Sequence, residues 1–480
     1  MRFFGREDII GRLNDLWGKS VSSLVTCRGR RRIGKSTLIE KFAQDSGARF
    51  LKIEGLKPVA KMTGEDERKA FAEQLAQQSD CEKTCPDSWL SAFQRLASAI
   101  RDDERTVVLL DEVSWMAYFD DDFAGYLKIA WDNYLKKHDK LIFVVCGSVS
   151  LWIRDNMIEN KAFFGRRSLD IVVPELPLRE CVKFWGDRVD RVPVREIVDF
   201  LSVTGGVPKY LEELNPSVST AENLKRMAFL PDSVLRADFD EMFTDVIKRQ
   251  PKFAGRVLRS LVDGPRTVSE IAHALGVVKG GDITDALAQL SESGLVAAQG
   301  GKNPKTGGDA RILRYRIRDN YSRFYLKYLE PVKDMIDAAS FAFTDLEQFA
   351  GWETDMGFQF ENLILNNFRE ILRPLHLEKA LVTSASPYVG RSSSVSQQDS
   401  GCQVDLLIQT NMSICIVEIK RRAKIGREIL DEVKRKCARV PHRKDVAVRT
   451  ALVYDGELAR SVEAEGYFDA IVSSRDLLGL

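Results

Sequence analysis

Residues 29–36 read GRRRIGKS and constrain the fold of this chain more than any other segment. They follow a short apolar run at 21–27 and lead into a stretch with helical spacing at 35–43. In a loop of this pattern the glycines permit a tight turn, and backbone N–H groups surround phosphate oxygens at the start of the helix. The sequence therefore predicts a strand, a phosphate-binding loop and a helix, in this order.

The residues of this loop have separate expected roles. Gly29 and Gly34 shape the turn, Lys35 reaches the terminal phosphates, and the hydroxyl of Ser36 is a ligand for Mg²⁺. Thr37 follows in the first helical turn and is assigned to the same nucleotide site. Together these residues predict that the chain binds ATP with a magnesium ion.

A pair of carboxylates follows a second apolar run. Residues 107–112 read VVLLDE, so the predicted strand ends in Asp111 and Glu112. Open parallel sheets bind their ligands at the carboxyl ends of the strands. We expect Asp111 to hold the hydrated magnesium ion and Glu112 to orient or deprotonate the attacking water, which predicts ATP hydrolysis.

The pattern of apolar runs predicts an α/β multidomain protein. Strand-like runs alternate with helix-length segments at first, which indicates a P-loop doubly wound parallel sheet; later runs are helical, then short helices precede a hairpin, and strands return near the end. A Ser/Gln-rich stretch at 391–400 is expected to be a mobile loop. The predicted domains are the ATPase core at 1–175, a helical lid at 176–250, a winged helix at 251–320, a helical linker at 321–348 and a second α/β domain at 349–480.

Composition and charge exclude several classes of protein. The 71 Lys and Arg residues against 70 Asp and Glu give a net charge of +1, which excludes a uniformly basic nucleic-acid coat. The most apolar segment, 141–153, is shorter than the roughly 20 residues that cross a bilayer, and no secretory signal follows the first charges. Eight scattered cysteines do not form a disulfide framework. We expect a cytoplasmic protein without membrane contact.

Three other positions have two interpretations each. Ser148 follows a buried strand, and its hydroxyl could lie near the γ-phosphate or belong to a plain strand-end turn. Arg166, beside Arg167, could stabilise developing phosphoryl charge or form a solvated pair. Pro208 completes the segment GGVP, which would make a rigid turn in the lid whether or not it meets the nucleotide.

The order of these motifs resembles the prokaryotic ATPases of the AAA+/STAND group. The resemblance rests on the phosphate loop, the DE strand end, FGRE at 4–7, CGS at 146–148, FGRR at 164–167 and GVPKYL at 206–211, and it covers roughly the first 230 residues. It implies that Arg6 lies near the adenine, that Ser148 is a sensor, that Arg166 is an arginine finger and that Pro208 touches the base side of the nucleotide. A finger that acts on a neighbouring subunit would require a homo-oligomer.

A second group of charged residues lies near the C-terminus. Residues 404–408 and 414–420 predict two strands of a hairpin, and Glu418 and Lys420 share one face because they are two apart. Asp405, on the partner strand, could point into the same cleft. Such a set can hold Mg²⁺ or Mn²⁺ through the carboxylates while the lysine positions a water against a scissile phosphate. The alternative is a solvent-facing charged pair on an amphipathic strand.

Glu361 completes the second group, because a charge in the apolar helix predicted at 357–368 needs a reason such as a metal or water ligand. The pattern of Glu361, Asp405 and Glu418-Ile419-Lys420 resembles the PD-(D/E)XK nucleases, including archaeal Holliday-junction resolvases and restriction-type endonucleases, with Val404 in place of the proline. The resemblance implies a C-terminal α/β restriction-endonuclease-like domain. The whole series of domains is similar to a widespread group of archaeal and bacterial ATPases whose C-terminal domain is of ill-defined function.

Basic residues near this site could neutralise a nucleic-acid backbone. They occur at 420–424, 434–436 and 442–444, although a solvated helix face explains the same runs. The second helix of the predicted winged domain, 281–294, carries three acidic residues and no Arg or Lys. Such a helix would repel DNA in the major groove, so contact with a protein partner is an equal alternative for that domain.

The sequence thus predicts an ATP-hydrolysing protein whose metal-dependent nuclease domain cleaves DNA under nucleotide control, with RNA left open as a substrate. One alternative is a nucleotide-switched signalling or transcription-control ATPase whose tail binds DNA without cutting it. Another is a DNA-remodelling ATPase in which the tail serves only as a grip.

Overall fold

The computed structural model describes residues 3–147, 150–247, 250–310, 312–390 and 402–480. The chain divides into two compact units, Met1–Glu175 and Leu176–Leu480, and each is considered by itself below. Two features singled out in the sequence, Ser148 and the polar stretch at 391–400, lie outside the described residues.

The first unit is built on a parallel sheet, which confirms the predicted α/β fold of this part. Among the described residues the sheet has five strands in the order β2-β3-β4-β1-β5. These are β1 Ser23–Arg28, β2 Arg49–Glu54, β3 Thr106–Asp111, β4 Leu141–Gly147 and β5 Arg167–Val172. The helices are α1 Glu7–Asn14, α2 Lys35–Asp45, α3 Gly64–Gln78, α4 Trp89–Ser98, α5 Val113–Met116, α6 Phe123–Asn133 and α7 Ser150–Ile153.

Burial explains why β3 and β4 give a strong strand signal in the sequence and β5 does not. Strands β3 and β4 are buried along their whole length, and a near-continuous apolar run is typical of a strand covered on both faces. Strand β5 is an edge strand whose sequence, RSLDIV, is mostly half-buried and carries two charges, Arg167 and Asp170. The sequence around Arg167 therefore indicates an exposed arginine pair more strongly than the start of a strand.

The edge formed by β2 is closed by side chains instead of another strand. The Gln78 amide accepts a hydrogen bond from Lys52 N (2.9 Å) and donates one to Lys52 O (2.7 Å). Gln74 makes the same two bonds with the backbone of Glu54, both at 2.9 Å. Gln74 and Gln78 are separated by a helical rise of about 6 Å, and Lys52 and Glu54 by a strand length of about 6.6 Å. The spacing of the two glutamines therefore matches the spacing of the two strand residues. This arrangement fixes β2 beside β3 and covers polar groups that would invite pairing with another chain.

The second unit begins with helices and a small sheet. The helices are α8 Leu178–Cys181, α9 Val194–Thr204, α10 Pro208–Glu212, α11 Thr220–Ala228, α12 Val234–Val246, α13 Pro251–Arg259, α14 Val268–Leu275 and α15 Gly281–Glu292. Strands β6 Arg266–Thr267, β7 Val296–Gln299 and β8 Arg314–Ile317 form an antiparallel sheet in the order β6-β8-β7. Helix α14 begins with a capping box between Thr267 and Glu270 and ends at Gly276 in the left-handed region (φ 65°), as its sequence favours.

The rest of the second unit is organised around a mixed sheet. Helices α16 Asn320–Phe324, α17 Lys333–Asp337, α18 Trp352–Asn366 and α19 Arg369–Leu372 precede it. Its described strands are β9 Val382–Val389, β10 Gln403–Thr410, β11 Ser413–Ile425, β12 Ala447–Leu458 and β13 Ala470–Ser473, in the order β13-β12-β11-β10-β9. Strands β9, β10 and β11 are antiparallel neighbours, whereas β11, β12 and β13 run parallel. Helices α20 Glu428–Arg439, α21 Arg460–Ala464 and α22 Ser474–Leu478 complete the fold.

Buried amide groups join three helices of this unit. Asn320 donates to the backbone oxygens of Ser202 (2.6 Å) and Gln359 (3.0 Å), and Asn362 donates to the side chain of Asn320 at 2.7 Å. Paired polar groups of this kind are costly to break once buried, because an orphaned amide loses its water as well as its partner. The network holds α9, α16 and α18 together, and α18 carries Glu361.

Candidate functional site

The phosphate loop is shaped by two glycines in conformations that side chains avoid. Gly29 has φ 153° and Gly34 has φ 83°. A Cβ atom on Gly29 would lie 2.7 Å from the carbonyl oxygen of Val173, so no other residue fits there without a shift of backbone. Lys35 begins α2 and donates to the carbonyl oxygens of Gly29 (3.2 Å) and Arg30 (3.1 Å). The loop thus closes around its own lysine.

The predicted magnesium ligands meet beside this loop. The hydroxyl of Ser36 donates to Asp111 Oδ2 at 2.5 Å, and Asp111 Oδ1 accepts from the backbone N–H of Glu112 at 3.0 Å. Asp111 is buried, and Thr37 is half-buried in the next position of α2. A hydroxyl and a carboxylate oxygen side by side are the hard donors that Mg²⁺ takes while it keeps several waters. These residues fit the ion that the loop implies.

Glu112 has an unusual backbone. It sits directly after β3 with φ 48°, in the left-handed region that residues with a side chain rarely adopt, and it precedes the short helix α5. Its carbonyl accepts a hydrogen bond from Trp115 N at 2.8 Å, which holds this turn. A strained non-glycine residue at the carboxyl edge of a sheet is typical of a functional position.

Two residues of β2 join this region, and sequence reasoning missed both. The Lys52 ammonium lies 3.0 Å from Glu40, 3.8 Å from Asp111 and 3.9 Å from Glu54. The strand register pairs Glu54 with Asp111. Burial raises the pKa of Glu54, and the charges of Asp111 and Glu112 raise it further against the opposing effect of Lys52. The signal was the alternation of Lys52 and Glu54 on one strand face, but only the strand order places that face beside Asp111.

The remaining predicted nucleotide-site residues are held in different ways. Arg6 has φ 72°, is buried, and donates to the carbonyl oxygen of Glu175 at 3.3 Å. Arg166 makes a two-bond ion pair with Asp132 of α6, at 2.8 and 3.0 Å, and this hydrogen bonding lowers the pKa of Asp132 to about 2. Pro208 belongs to the second unit, where it is the first residue of α10.

The C-terminal carboxylates and lysine lie together on β10 and β11. The antiparallel register pairs Leu406 with Val417. Continued by one residue on each strand, this register places Asp405 opposite Glu418. The Lys420 ammonium lies 2.5 Å from Glu418 Oε1, and Asp405 Oδ2 accepts from the N–H of Ile419 at 2.9 Å. The Glu418 side chain is 0% exposed, which is incompatible with a solvent-facing charged strand pair.

Helix α20 adds two residues that sequence reasoning assigned elsewhere or passed over. The Lys436 ammonium lies 2.7 and 2.6 Å from the two oxygens of Glu418 and 3.9 Å from Asp405. Glu432 lies 3.1 Å from Lys420 and 3.3 Å from Lys436. Glu432 and Lys436 are one helical turn apart beside buried Val433. This spacing indicates that the two side chains share a helix face. The run of basic residues at 434–436 instead favours the interpretation of Lys436 as a surface residue.

Burial and mutual charge set the protonation of this cluster. Burial raises the pKa of Asp405 and of Glu361, and it raises the pKa of Glu418 to about 7, with the negative charge of Asp405 acting in the same direction. Burial opposes ionisation of Glu432 too, but the charges of Lys420 and Lys436 together with side-chain hydrogen bonds lower that pKa to about 2. Glu361 on α18 is close enough to Glu418 and Lys420 to influence, and be influenced by, their charges.

The cluster offers two carboxylates to a cation rather than a complete protein cage. Among the described ranges, no group of three or more His, Cys, Asp or Glu side chains has the arrangement of a metal site. Mg²⁺ and Mn²⁺ sites that act on phosphates need fewer protein ligands, because waters and the substrate supply the rest. Asp405 and Glu418 therefore fit a divalent cation of that kind.

The opposite face of β11 is tied to another part of the second unit. The Arg421 side chain, wholly buried, lies 2.7 Å from Asp199 of α9 and 2.9 Å from Glu353 of α18. Arg195 of α9 lies 2.6 Å from Glu353 and 3.5 Å from Asp455 of β12. Because Lys420 and Arg421 are adjacent, one strand carries the carboxylate–lysine cluster on one face and this ion-pair network on the other.

Comparison with known proteins supports the nucleotide site. Residues 3–214 match a family described as an ATPase domain predominantly from Archaea. The first unit has the fold of a P-loop ATPase. The chain is similar to the solved Walker-type ATPase of Pyrococcus abyssi, with a TM-score of 0.51, 17% identity, and coverage of 68% of this chain and 96% of that one. The family match and this fold support nucleotide binding and ATP hydrolysis at the loop.

Two further proteins are similar to this chain at low sequence identity. An uncharacterized protein of Methanocaldococcus jannaschii is 23% identical over 364 residues, which span 75% of this chain and 76% of that protein. The solved ORC2 protein of Aeropyrum pernix has a TM-score of 0.42 and 14% identity, and the match covers 69% of this chain and 91% of that one. Within the part of the chain that the structure describes, no helix combines the length and apolar character needed to span a bilayer.

Proposed function

We propose that the chain couples ATP hydrolysis in its first unit to metal-dependent cleavage of DNA by the domain around β9–β13. The observation that carries the nuclease half is the buried set of Asp405, Glu418 and Lys420 on adjacent strands, with Glu418 fully enclosed and 2.5 Å from the lysine. Burying charges is expensive, and a site that does so is a candidate for chemistry rather than for stability.

In the ATPase half, each residue has a task that its position supports. Lys35 exchanges its two backbone carbonyl partners for the terminal phosphates when nucleotide binds. Ser36 and Asp111 would hold the magnesium ion, which would offset the charge that develops on the phosphates. Glu112, presented by its left-handed turn, orients the attacking water and accepts its proton.

In the nuclease half, Asp405 and Glu418 would hold a divalent cation, which would supply Lewis-acid stabilisation of the scissile phosphate. Lys420 hydrogen-bonds the attacking water and offsets the charge that develops on the phosphate. Glu361 is a further water ligand from α18. The placement of the motif supports this function, because Glu361 lies on α18 and the other three residues lie on the neighbouring antiparallel strands β10 and β11.

DNA is the proposed partner because the outer surface near this site is basic. Arg422, Lys424 and Arg435 are exposed on β11 and α20 and can pair with backbone phosphates. We infer that residues 251–320 form a winged helix from α13–α15 and the antiparallel β6–β8, and that it contacts a protein because α15 carries three acidic residues and no Arg or Lys. The proposed setting is the cytoplasm, where ATP and DNA occur together.

We also propose that the protein works as a homo-oligomer if Arg166 is the arginine finger. In the single chain Arg166 is engaged by Asp132 through two hydrogen bonds. Acting on a phosphate would require it to exchange this carboxylate for the nucleotide of the same or a neighbouring subunit.

The test of the nuclease is cleavage of linear, single-stranded and four-way-junction DNA with Mg²⁺ or Mn²⁺, with and without ATP. Asp405→Ala should abolish cleavage, while the control Asp445→Ala, which removes an exposed carboxylate of the same domain, should cut like wild type. If wild type cuts no substrate while it hydrolyses ATP, the nuclease proposal fails, and the nucleotide-switched DNA-binding protein replaces it.

A further inference from the structure

Lys436 has the ion-pair partners that a metal ion at the proposed nuclease site would need. Its ammonium group contacts both oxygens of Glu418, at 2.7 and 2.6 Å, and lies 3.9 Å from Asp405 Oδ1. It is also 3.3 Å from Glu432 of its own helix. The side chain is 15% exposed, so three carboxylates and little water surround this charge.

Lys434, two residues earlier on the same helix, has a longer closest ion-pair contact and a more exposed side chain than Lys436. Lys434 lies 3.8 Å from Glu465, with its ammonium 5.2 Å from the centre of the Tyr467 ring, and its side chain is 45% exposed. An ion pair of that kind contributes little, because water and salt screen it. Lys436 therefore points inward for a reason that the general basic charge of α20 does not supply.

An ammonium group and a divalent cation compete for the oxygens of Glu418, because each is held by the same negative charge and lone pairs. Mg²⁺ binds carboxylate oxygens at about 2.1 Å and requires lone pairs directed at it. The hydrogen bonds of Lys436 use those lone pairs on both oxygens, and Lys420 adds a third contact to the same carboxylate. The Lys436 ammonium already lies within reach of both carboxylates, 2.6 Å from Glu418 and 3.9 Å from Asp405.

We propose that Lys436 is an internal counter-ion that competes with the divalent cation for Glu418 and Asp405 and leaves them when a DNA phosphate pairs with it. The inference rests on the proposed function, since it assumes that these carboxylates hold a metal. Lys436 has a long flexible side chain, so its ammonium group can move from these carboxylates to a phosphate oxygen of bound DNA. Metal and DNA then bind cooperatively, because each favours the same displaced position of one lysine.

The experiment measures Mn²⁺ binding to the full chain without nucleotide, by the electron-paramagnetic-resonance signal of free Mn²⁺. Lys436→Met should lower the Mn²⁺ dissociation constant at least tenfold relative to wild type. The matched control Lys434→Met, which removes the same charge from the same helix, should change it less than twofold. Asp405→Ala identifies which binding belongs to this cluster.

A second comparison adds a non-cleavable phosphorothioate duplex. The duplex should tighten Mn²⁺ binding to wild type at least fivefold and to Lys436→Met less than twofold. Lys436→Gln, which keeps a polar side chain, should behave like Lys436→Met, and thermal melting checks that each variant is folded. Glu418 keeps Lys420 as a partner in both variants, so the carboxylate is not left unpaired.

Equal Mn²⁺ affinities of Lys436→Met and Lys434→Met overturn the inference, as does the absence of Mn²⁺ binding in every variant. Failure of the inference and failure of the nuclease are distinguishable. If wild type cleaves DNA while Lys436→Met binds Mn²⁺ no more tightly, only the inference falls. If Lys436→Met binds Mn²⁺ tightly and wild type cuts nothing, the inference stands and the nuclease proposal falls.

Discussion

Removing Arg421 should loosen the strand that carries Glu418 and Lys420. Arg421 is buried, with its guanidinium 2.7 Å from Asp199, whose own side chain is 16% exposed. Arg421→Met fills similar volume but leaves Asp199 buried without its main partner, and breaking a buried pair in this way costs about 3–5 kcal/mol. A loss of about 3 kcal/mol should accelerate hydrogen exchange through opening of this network roughly a hundredfold. The reason is that about 1.4 kcal/mol changes the equilibrium constant for opening tenfold.

The assay is hydrogen–deuterium exchange of the full chain, read by mass spectrometry for each peptide. Peptides of β11 and α9 should lose protection in Arg421→Met, whereas β3 and β4 of the first unit serve as an internal reference. The control Arg422→Met removes the adjacent exposed arginine and should change stability by less than about 0.5 kcal/mol. Equal protection of β11 and α9 in the two variants would refute the role given to this network.

Three other predictions concern the phosphate loop and the buried acid of α9. Lys35→Ala should abolish ATP turnover without changing the melting temperature, and undiminished hydrolysis would remove the loop assignment. Glu112→Gln should bind ATP normally but hydrolyse it about 10²–10⁴-fold more slowly, as a loss of general-base catalysis predicts, and a variant with wild-type turnover would exclude that role. Burial raises the pKa of Asp199 from 3.8 to about 6, so the folded protein holds this proton more tightly and the associated stability fades as the pH rises from about 4 to 6. Asp199→Asn should flatten that part of a melting-temperature profile, and an unchanged slope would contradict the shift.

The local parts of the fold could be predicted from the sequence because their signals are local. The phosphate loop lies between a strand and a helix, and Asp111 ends a buried strand of the parallel sheet. Residues 414–420 lie within β11, and the helix expected at 357–368 lies mainly within α18, which begins five residues earlier at Trp352. In each case the period of apolar residues over a few turns or strand residues carries the information.

The parts that could not be predicted depend on distant pairing. Arg421 and Asp199 are 222 residues apart, and no local pattern marks them as partners. Lys52 reaches Asp111 only because β2 is the neighbour of β3, and strand order is not written in any single segment. Lys436 points inward because α20 connects the parallel strands β11 and β12. One face of this helix therefore packs against the sheet at Glu418. The sequence periodicity indicates this face of α20, but it does not indicate that the face contacts Glu418.

The most direct test of the central claim compares two lysines of the same strand. Lys420 lies in the carboxylate cluster, whereas Lys424 of β11 is exposed. With Mn²⁺ and saturating DNA, cleavage should be lost in Lys420→Met and kept in Lys424→Met, and ATP hydrolysis should be intact in both. Loss of the Lys424 phosphate contact should weaken DNA binding without abolishing it. Equal cleavage by the two variants, or no cleavage by wild type on any DNA, would contradict the assignment of this cluster as a nuclease site.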